Sequence, residues 1–376
     1  MTTHSEVFRD PKLFAGWPAN YGMWSWGEEV LVIFLVGHLR TDEYLHARDK
    51  TRPFLPRQAR SFDGGRTWKD EPFTGVLPGR PGLSGDEHVI PELQSEPAIV
   101  PERELRQLDA PVDFTDPETL VLLGRTGLHA GSLSWFYVSR DRGHSWQGPY
   151  RLGDLGQPGV SARHDIVPLG RHDALFLLSA AKQDGREGRV FAARTRDGGR
   201  SFTFESYVGD EPDGGYAIMP SSVRLADGEV LTAVRCSSST KYPDQSDMGR
   251  KAWIDLYASR DEGATWTHIT RPVPDTGYAG NPPTLTLLPD GRLVLVFGYR
   301  DPPHEMRAIV SDDSGRTWGA PMVLRSKGGS PDIGYPRTLR LADGALLTVY
   351  YFLDEPDGER YIAATRFEVP PAVSAA

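Results

Sequence analysis

A chain of 376 residues with net charge −9 and 25% charged residues lacks the basic face needed to neutralise a nucleic-acid backbone, so no nucleic-acid partner is expected. No window approaches the roughly 18 consecutive apolar residues that span a bilayer, which excludes a helical membrane anchor. The single cysteine, Cys236, excludes an internal disulfide and fits a reducing compartment; with the opening MTTHSEVFRD, which has no basic-then-apolar leader, it points to the cytoplasm.

Forty glycines, 31 prolines and nine tryptophans go with many short strands and tight turns. In chain order, EVFRD near the amino terminus reads as a lone strand. WSWGEEVLVIFLVGHLR follows as a strand pair, then a loop over 40–58 and the segment SFDGGRTW from Ser61 to Trp68. The second unit has EPAIVPERE, an insertion, ETLVLLGRT and SRDRGHSW from Ser139, with loops at 77–95 and 101–117. The third has HDIVPLGRHDALFLLSAAK and TRDGGRSF from Thr195. The fourth has SSVRLADGEVLTAVRC, a loop at 237–250 and SRDEGATW from Ser259. The fifth has PTLTLLPDGRLVLVFGYR and SDDSGRTW from Ser311. The sixth, RTLRLADGALLTVYYF, ends in RYIAATRFEV with no such segment, so the amino-terminal strand is expected to complete it and close a ring over residues 1–376 as one domain.

Five segments share the pattern Ser/Thr-x-Asp-x-Gly-x-x-aromatic, at intervals of roughly 50 to 80 residues, the size of a four-stranded propeller blade. Asp63, Asp141, Asp197, Asp261 and Asp313 are expected to cap backbone N–H groups, the glycine to permit positive φ, and the aromatic ring to anchor between sheets. Asp227-Gly228, Asp290-Gly291 and Asp343-Gly344 between apolar runs predict two-residue hairpins. The fold class is therefore all-β: a six-bladed propeller of four-stranded antiparallel blades.

Aligning the inner strands on these turns predicts that Met219, Pro282 and Tyr335 ring the axis, and the hydrophobic pattern adds Trp17, Glu96 and Arg163, with neighbours His164, Asn281 and Arg337. The ends of the second strands place a cation at nearly one position in five consecutive blades: His38 and Arg40, Arg125, Lys182, Arg235 and Arg300, with Tyr351 in the sixth. Such a row focuses positive potential in a cleft of an acidic protein and favours an acidic sugar, because the planar guanidinium fork matches a carboxylate. Trp17, Trp24 and Trp26 are candidate stacking surfaces for a pyranose. No Cys/His cluster has metal-ligand spacing and no phosphate loop follows a strand, so no metal or cofactor is expected.

The Asp-box segments and blade pattern, over nearly the whole chain, resemble the sialidase (neuraminidase) superfamily and its BNR-repeat sialidase-like members. That resemblance implies a glycosidase in which arginines hold the substrate carboxylate and a tyrosine activated by a glutamate is the nucleophile. Tyr335, in GYPRTLRLADG, is similar to that tyrosine, and Arg235 and Arg300 to two of three arginines. Trp17-Pro18 stands where the first arginine belongs, and Met219 where the glutamate belongs, which leaves Glu96 as the carboxylate to reach Tyr335. Asp42, Glu43 and Asp49, with His46, are the acid candidates of the first loop, Asp49 being carried forward. Two other readings use the same residues: a uronate lyase with His164 or Tyr335 as base and Arg235 or Arg300 neutralising the acid, and a glycan-binding propeller without chemistry.

Overall fold

The apolar runs form strands, and the strands sort into six antiparallel sheets. The computed structural model describes residues 2–41, 45–79, 83–84, 104–238 and 251–370. β1 (Thr3–Phe8) leads into blade one, made of β2 (Leu13–Gly16), β3 (Gly22–Trp26), β4 (Glu29–His38), β5 (Leu55–Ser61) and β6 (Lys69–Pro72). Blade two contributes β7 (Leu120–Arg125), β8 (Ser134–Ser139) and β9 (Gln147–Arg151). Blade three holds β10 (Val160–Ser161), β11 (Ile166–Gly170), β12 (Asp173–Ala181), β13 (Glu187–Thr195) and β14 (Thr203–Tyr207). Blade four holds β15 (Tyr216–Arg224), β16 (Val230–Ser237), β17 (Ala252–Ser259) and β18 (Thr267–Val273). Blade five holds β19 (Thr284–Leu287), β20 (Leu293–Tyr299), β21 (Glu305–Ser311) and β22 (Met322–Arg325), and blade six β23 (Gly334–Arg340), β24 (Leu346–Phe352) and β25 (Tyr361–Phe367).

The molecule is a six-bladed β-propeller with four-stranded antiparallel blades, of which blade two shows three strands among the described residues. The segment EPAIVPERE, expected as its inner strand, lies outside the described residues except for Glu104 at its end. β1 pairs antiparallel with β25, Thr3 opposite Arg366, so blade six takes its outer strand from the other end of the chain. Cys236 is buried on β16 without a sulfur partner. No helix of the described residues is long and apolar enough to cross a membrane.

The inner strand of several blades is interrupted where it reaches the axis. β2 and β3 both pair with β4 around a 3-10 turn at Pro18–Asn20, and β10 and β11 both pair with β12 around Arg163. In blades four and six the register slips between Ile218 and Ser221 and between Gly334 and Arg337. Trp17, Met219 and Tyr335, each followed by proline, sit at these breaks with φ of 61°, 54° and 52°. A left-handed backbone at a bulky residue costs on the order of 1–3 kcal/mol and persists only where its surroundings enforce it. In blades one, four and six the break re-aims that side chain toward the hub.

The Asp-Gly hairpins differ from expectation. Leu225 N–H donates to the Glu229 carbonyl at 2.8 Å while Gly228 N–H donates to Leu225, and the same pair of bonds recurs at Leu288 and Leu341. These are three-residue loops: a turn closed by a glycine at φ of about 90°, the bulged alternative to a two-residue turn.

The Asp boxes are closed hydrogen-bond rings between third and fourth strands. Asp313 Oδ1 accepts from Thr317 N at 2.8 Å, Oδ2 accepts the Thr317 hydroxyl at 2.6 Å, and Gly315 N–H donates to Ser311 Oγ at 2.8 Å. Thr67, Ser145, Ser201 and Thr265 repeat the hydroxyl contact in the other four boxes, adding a seventh position to the motif. Burial alone would push the Asp63 carboxyl up, but the bonds from Thr67, Ser61 and Arg66 N–H hold it at about 2. Each box glycine also fits against a neighbouring blade: a Cβ on Gly315 would meet Leu256, and one on Gly143 would meet Leu31, both at 2.3 Å.

Candidate functional site

The row of strand-end residues and the ring of inner-strand bulges meet around Tyr335. Arg235, on β16, donates from Nη1 to the Tyr335 hydroxyl at 3.2 Å and from Nη2 to the Ala279 carbonyl at 2.7 Å. Arg300, just past β20, donates to the carbonyls of Ile333 and Gly280 at 3.1 and 3.0 Å and to the Tyr351 hydroxyl at 2.7 Å. The two guanidinium carbons lie 5.7 and 5.5 Å from the centre of the Tyr335 ring. Both arginines are buried, and the partners of Arg300 are two carbonyls and a phenol, none of which cancels its charge. Met219 offers only its sulfur to Arg235, at 3.5 Å, where a glutamate would have offered charge.

Behind this pair lies a buried ionic network. Tyr351 passes its own hydroxyl hydrogen to Asp332 Oδ1 at 2.8 Å, while Asp332 Oδ2 accepts from Arg360 Nε at 2.8 Å and from Ala47 N at 3.2 Å. Burial alone would raise the Asp332 carboxyl, but His46, Arg360 and Arg300 hold it well below the usual carboxylate range. His46, from the first loop, packs edge-on against Tyr335 with ring centres 5.9 Å apart. Its Nδ1 accepts the Trp17 indole N–H at 3.1 Å and lies 3.3 Å from Asp332 Oδ1. Burial, with Arg48 and Arg300 nearby, pushes the His46 imidazole down to about 4 even though Asp332 opposes the shift, so the ring is neutral at pH 7.

We call the cluster of Arg235, Arg300, Tyr335 and His46 the cup; the hub floor is the set of polar contacts that ties the blades together beside it. Arg337 donates from Nη2 to Ala19 O at 2.7 Å and to His164 O, linking blades six, one and three. Arg163 donates from Nε to Asn20 Oδ1 at 3.2 Å and pairs with Glu187. Asp165 accepts from Ser222 N and Oγ at 3.0 and 2.7 Å; burial pushes its carboxyl up to about 6, with Ser222 and Arg337 opposing. His164 lies edge-on to Trp24, 5.2 Å between centres, and burial together with Arg337 lowers it to about 3. Burial likewise pushes the Arg337 guanidinium down to about 10.

The structure thus brings Arg235, Arg300, Tyr335 and Tyr351 together. Other predicted residues have different surroundings. Asn281 is fully buried and accepts from Tyr335 N at 3.0 Å while donating to Ile333 O at 2.9 Å, so it fixes the Tyr335 bend. A Cβ on Gly334 would lie 2.2 Å from its amide, which explains the glycine before Tyr335. Arg163, His164 and Arg337 belong to the hub floor. Arg125 is buried with its backbone N–H on Leu83 O, and Lys182 pairs with Asp184 at 3.2 Å. Arg40 is exposed. Asp49 caps its own turn, accepting from Thr51 Oγ1 at 2.6 Å and Thr51 N at 3.0 Å, and the Thr51 contacts lower its carboxyl. Glu96, Asp42 and Glu43 lie outside the described residues. Trp17 is only 2% exposed, with Arg48 over its ring at 4.9 Å and Phe14 at 4.8 Å, so it offers no open face to a pyranose. Trp26 spends its indole N–H on Pro117 O at 2.6 Å.

Sequence reasoning missed Asp332 and Arg360 and did not separate His46 from its loop neighbours. Asp332 stands three residues before Tyr335 in a loop, where most aspartates are solvated, and nothing in the local pattern marks it as buried.

The BNR repeat-like domain model matches residues 91–349. No curated protein matches the chain. Among solved structures, a protein of unknown function from Dyadobacter fermentans is similar over 98% of both chains at 20% identity, with a TM-score of 0.68. An α-L-arabinofuranosidase from Fusarium graminearum is similar over 97% of both chains at 14% identity, with a TM-score of 0.59. The NanB sialidase of Streptococcus pneumoniae is similar over 93% of this chain and 68% of its own at 12% identity, with a TM-score of 0.58. At these identities the likeness is one of fold. With the repeat model spanning more than half of its length, the chain belongs to the family of BNR repeat-like domains.

Proposed function

We propose that this propeller is a sialidase-like glycoside hydrolase that cleaves the terminal glycosidic bond of an acidic sugar. One observation carries the reading: two buried guanidinium groups from adjacent blades flank the Tyr335 ring, and among the described residues the hydrogen bonds of Arg300 go to neutral acceptors. Asp332 is already paired with Arg360 and reaches Arg300 only through Tyr351, so positive charge outweighs negative around Tyr335; that favours an anion from solution, and a sugar carboxylate can meet such a pair with parallel hydrogen bonds. The solved glycosidases of similar fold support a carbohydrate as the ligand class.

With the carboxylate on Arg235 and Arg300, the anomeric carbon lies next to the Tyr335 hydroxyl. The phenol oxygen attacks that carbon as the glycosidic C–O bond breaks, and the phenol proton passes through solvent to the leaving oxygen; water later displaces the tyrosine and returns a proton to the phenol oxygen. A neutral nucleophile avoids repulsion from the adjacent carboxylate. The Arg235 Nη1 contact stabilises negative charge on the phenol oxygen as it develops, work that a carboxylate base would otherwise share.

The test is a screen of aryl sialosides, aryl uronosides and neutral aryl glycosides, following released aglycone and the ultraviolet absorbance of an unsaturated product. Turnover of an acidic glycoside that disappears in Arg300→Ala is the expected result. An unsaturated product would replace the hydrolase with the lyase, and turnover of neutral glycosides alone would discard the acidic substrate.

A further inference from the structure

Trp17 occupies the place where the family resemblance implied an arginine, and its indole N–H points at a ring nitrogen of His46. Indole nitrogen is a donor only, so the 3.1 Å contact requires a lone pair on Nδ1. A proton on Nδ1 would set two donors against each other. Asp332 Oδ1 also lies near, at 3.3 Å, and could accept an Nδ1–H beside the Tyr351 hydroxyl, but the indole contact is the shorter of the two and has no alternative donor–acceptor assignment. All described hydrogen bonds of the ring use Nδ1; the side chain keeps 13% exposure, and Nε2 has no partner among the described residues. The ring stands edge-on to Tyr335 and has a left-handed backbone, φ 56°, that holds it at the cup.

We infer that Trp17 locks His46 in the neutral Nε2–H tautomer, so that the ring presents an uncharged N–H donor to an oxygen of the sugar bound between Arg235 and Arg300. This deepens the proposed hydrolase reading and rests on it for the identity of the ligand. The charged and titratable groups that face His46 are Asp332, Tyr351 and Tyr335 from blade six, Arg300 from blade five and Arg48 from its own loop. A neutral donor suits that setting, since an imidazolium would add charge beside two arginines. His46 then positions substrate and does not supply the proton of bond cleavage.

The lock is read without any substrate by nitrogen-15 NMR of the imidazole side chains in the full-length protein, with His46 assigned by its loss in His46→Gln. The expected pattern is the Nε2–H tautomer, unchanged from pH 5.5 to 8. An Nδ1–H tautomer, as in an Asp332–His46 dyad, or an imidazolium at pH 7 would overturn the inference. Trp17→Phe removes the donor and should let the neutral ring shift toward the Nδ1–H tautomer, with Asp332 Oδ1 as acceptor; an unchanged spectrum would also overturn it. On a substrate from the screen, His46→Gln, which keeps an amide donor, should retain KM within about threefold, whereas His46→Phe should raise KM about tenfold, the worth of one neutral hydrogen bond. An equal loss in both variants would contradict the donor role, and a neutral-only or absent turnover would strike the hydrolase reading while leaving the spectrum to judge the lock.

Discussion

Asp332→Ala would remove the single carboxylate at the centre of the network joining Arg360, Tyr351, Arg300 and the first loop. Its side chain is completely buried and that of Arg360 is 2% exposed, so solvent does not screen the pair. Deleting one partner leaves a buried guanidinium without its counter-ion, which costs roughly 3–5 kcal/mol. It also frees the Tyr351 hydroxyl and the Ala47 N–H. With an unfolding entropy of about 2.1 cal/mol/K per residue, that loss lowers Tm by about 4–6 °C for a chain of this length, readable by calorimetry. The carboxyl is held below its unfolded value, so its contribution is complete above about pH 4 and fades as pH falls through the folded pKa. The deficit of the variant should therefore be constant from pH 5 to 8. Asp332→Leu with Arg360→Met, which removes both charges, should recover most of the loss. A shift in Tm below about 1 °C for Asp332→Ala, or a double variant no better than the single, would refute this account.

Tyr335→Phe should abolish glycosidase turnover while leaving Tm nearly unchanged, because its hydroxyl has one described partner, Arg235; persistent turnover would discard the nucleophile assignment. Asp165→Asn should stabilise the protein above pH 6. The buried carboxyl has a folded pKa of about 6, above its unfolded value, so ionisation costs stability as pH rises from about 4 to 6. The gain should reach on the order of 2 kcal/mol at pH 8 in urea titrations and vanish below pH 4, and a loss at pH 8 would show that the Ser222 contacts need the charge. Asp313→Ala should cost about 1–2 kcal/mol by opening the box ring, whereas the exposed neighbour Asp312→Ala should stay within about 0.5 kcal/mol; equal effects would deny the box its structural role.

The repeat made much of this molecule readable in advance. A motif recurring once per blade reports the blade, and the turn alignment for Met219 and Tyr335, with the hydrophobic pattern for Trp17 and Arg163, selected residues that the structure shows at inner-strand breaks, which the sequence did not foresee. The X-Pro step after Trp17, Met219 and Tyr335 is the local trace of that bend. What the alignment could not convey was distance along the axis. Tyr335 and Arg337 are two residues apart, yet one lies in the cup and the other ties the floor to Ala19 and His164. Likewise Arg125, Lys182, Arg235 and Arg300 share a register position, but Lys182 meets Asp184 from its own loop while Arg300 meets Tyr351 from the next blade, because register fixes where a side chain starts and not which residue meets it. Asp332 and His46 were hidden for the same reason: each owes its role to contacts across the ring, and neither sits in a pattern that marks it.

The central claim is that the cup of Arg235, Arg300 and Tyr335 selects a negatively charged sugar. Titration calorimetry of the intact protein with sialic acid and glucuronic acid, each beside its methyl ester, tests it most directly, repeated at two salt concentrations and with Arg300→Ala. The account predicts that at least one free acid binds, more weakly as salt rises, and that its ester and the variant lose at least tenfold in affinity. Equal affinity for acid and ester, or binding unaffected by Arg300→Ala, would contradict it.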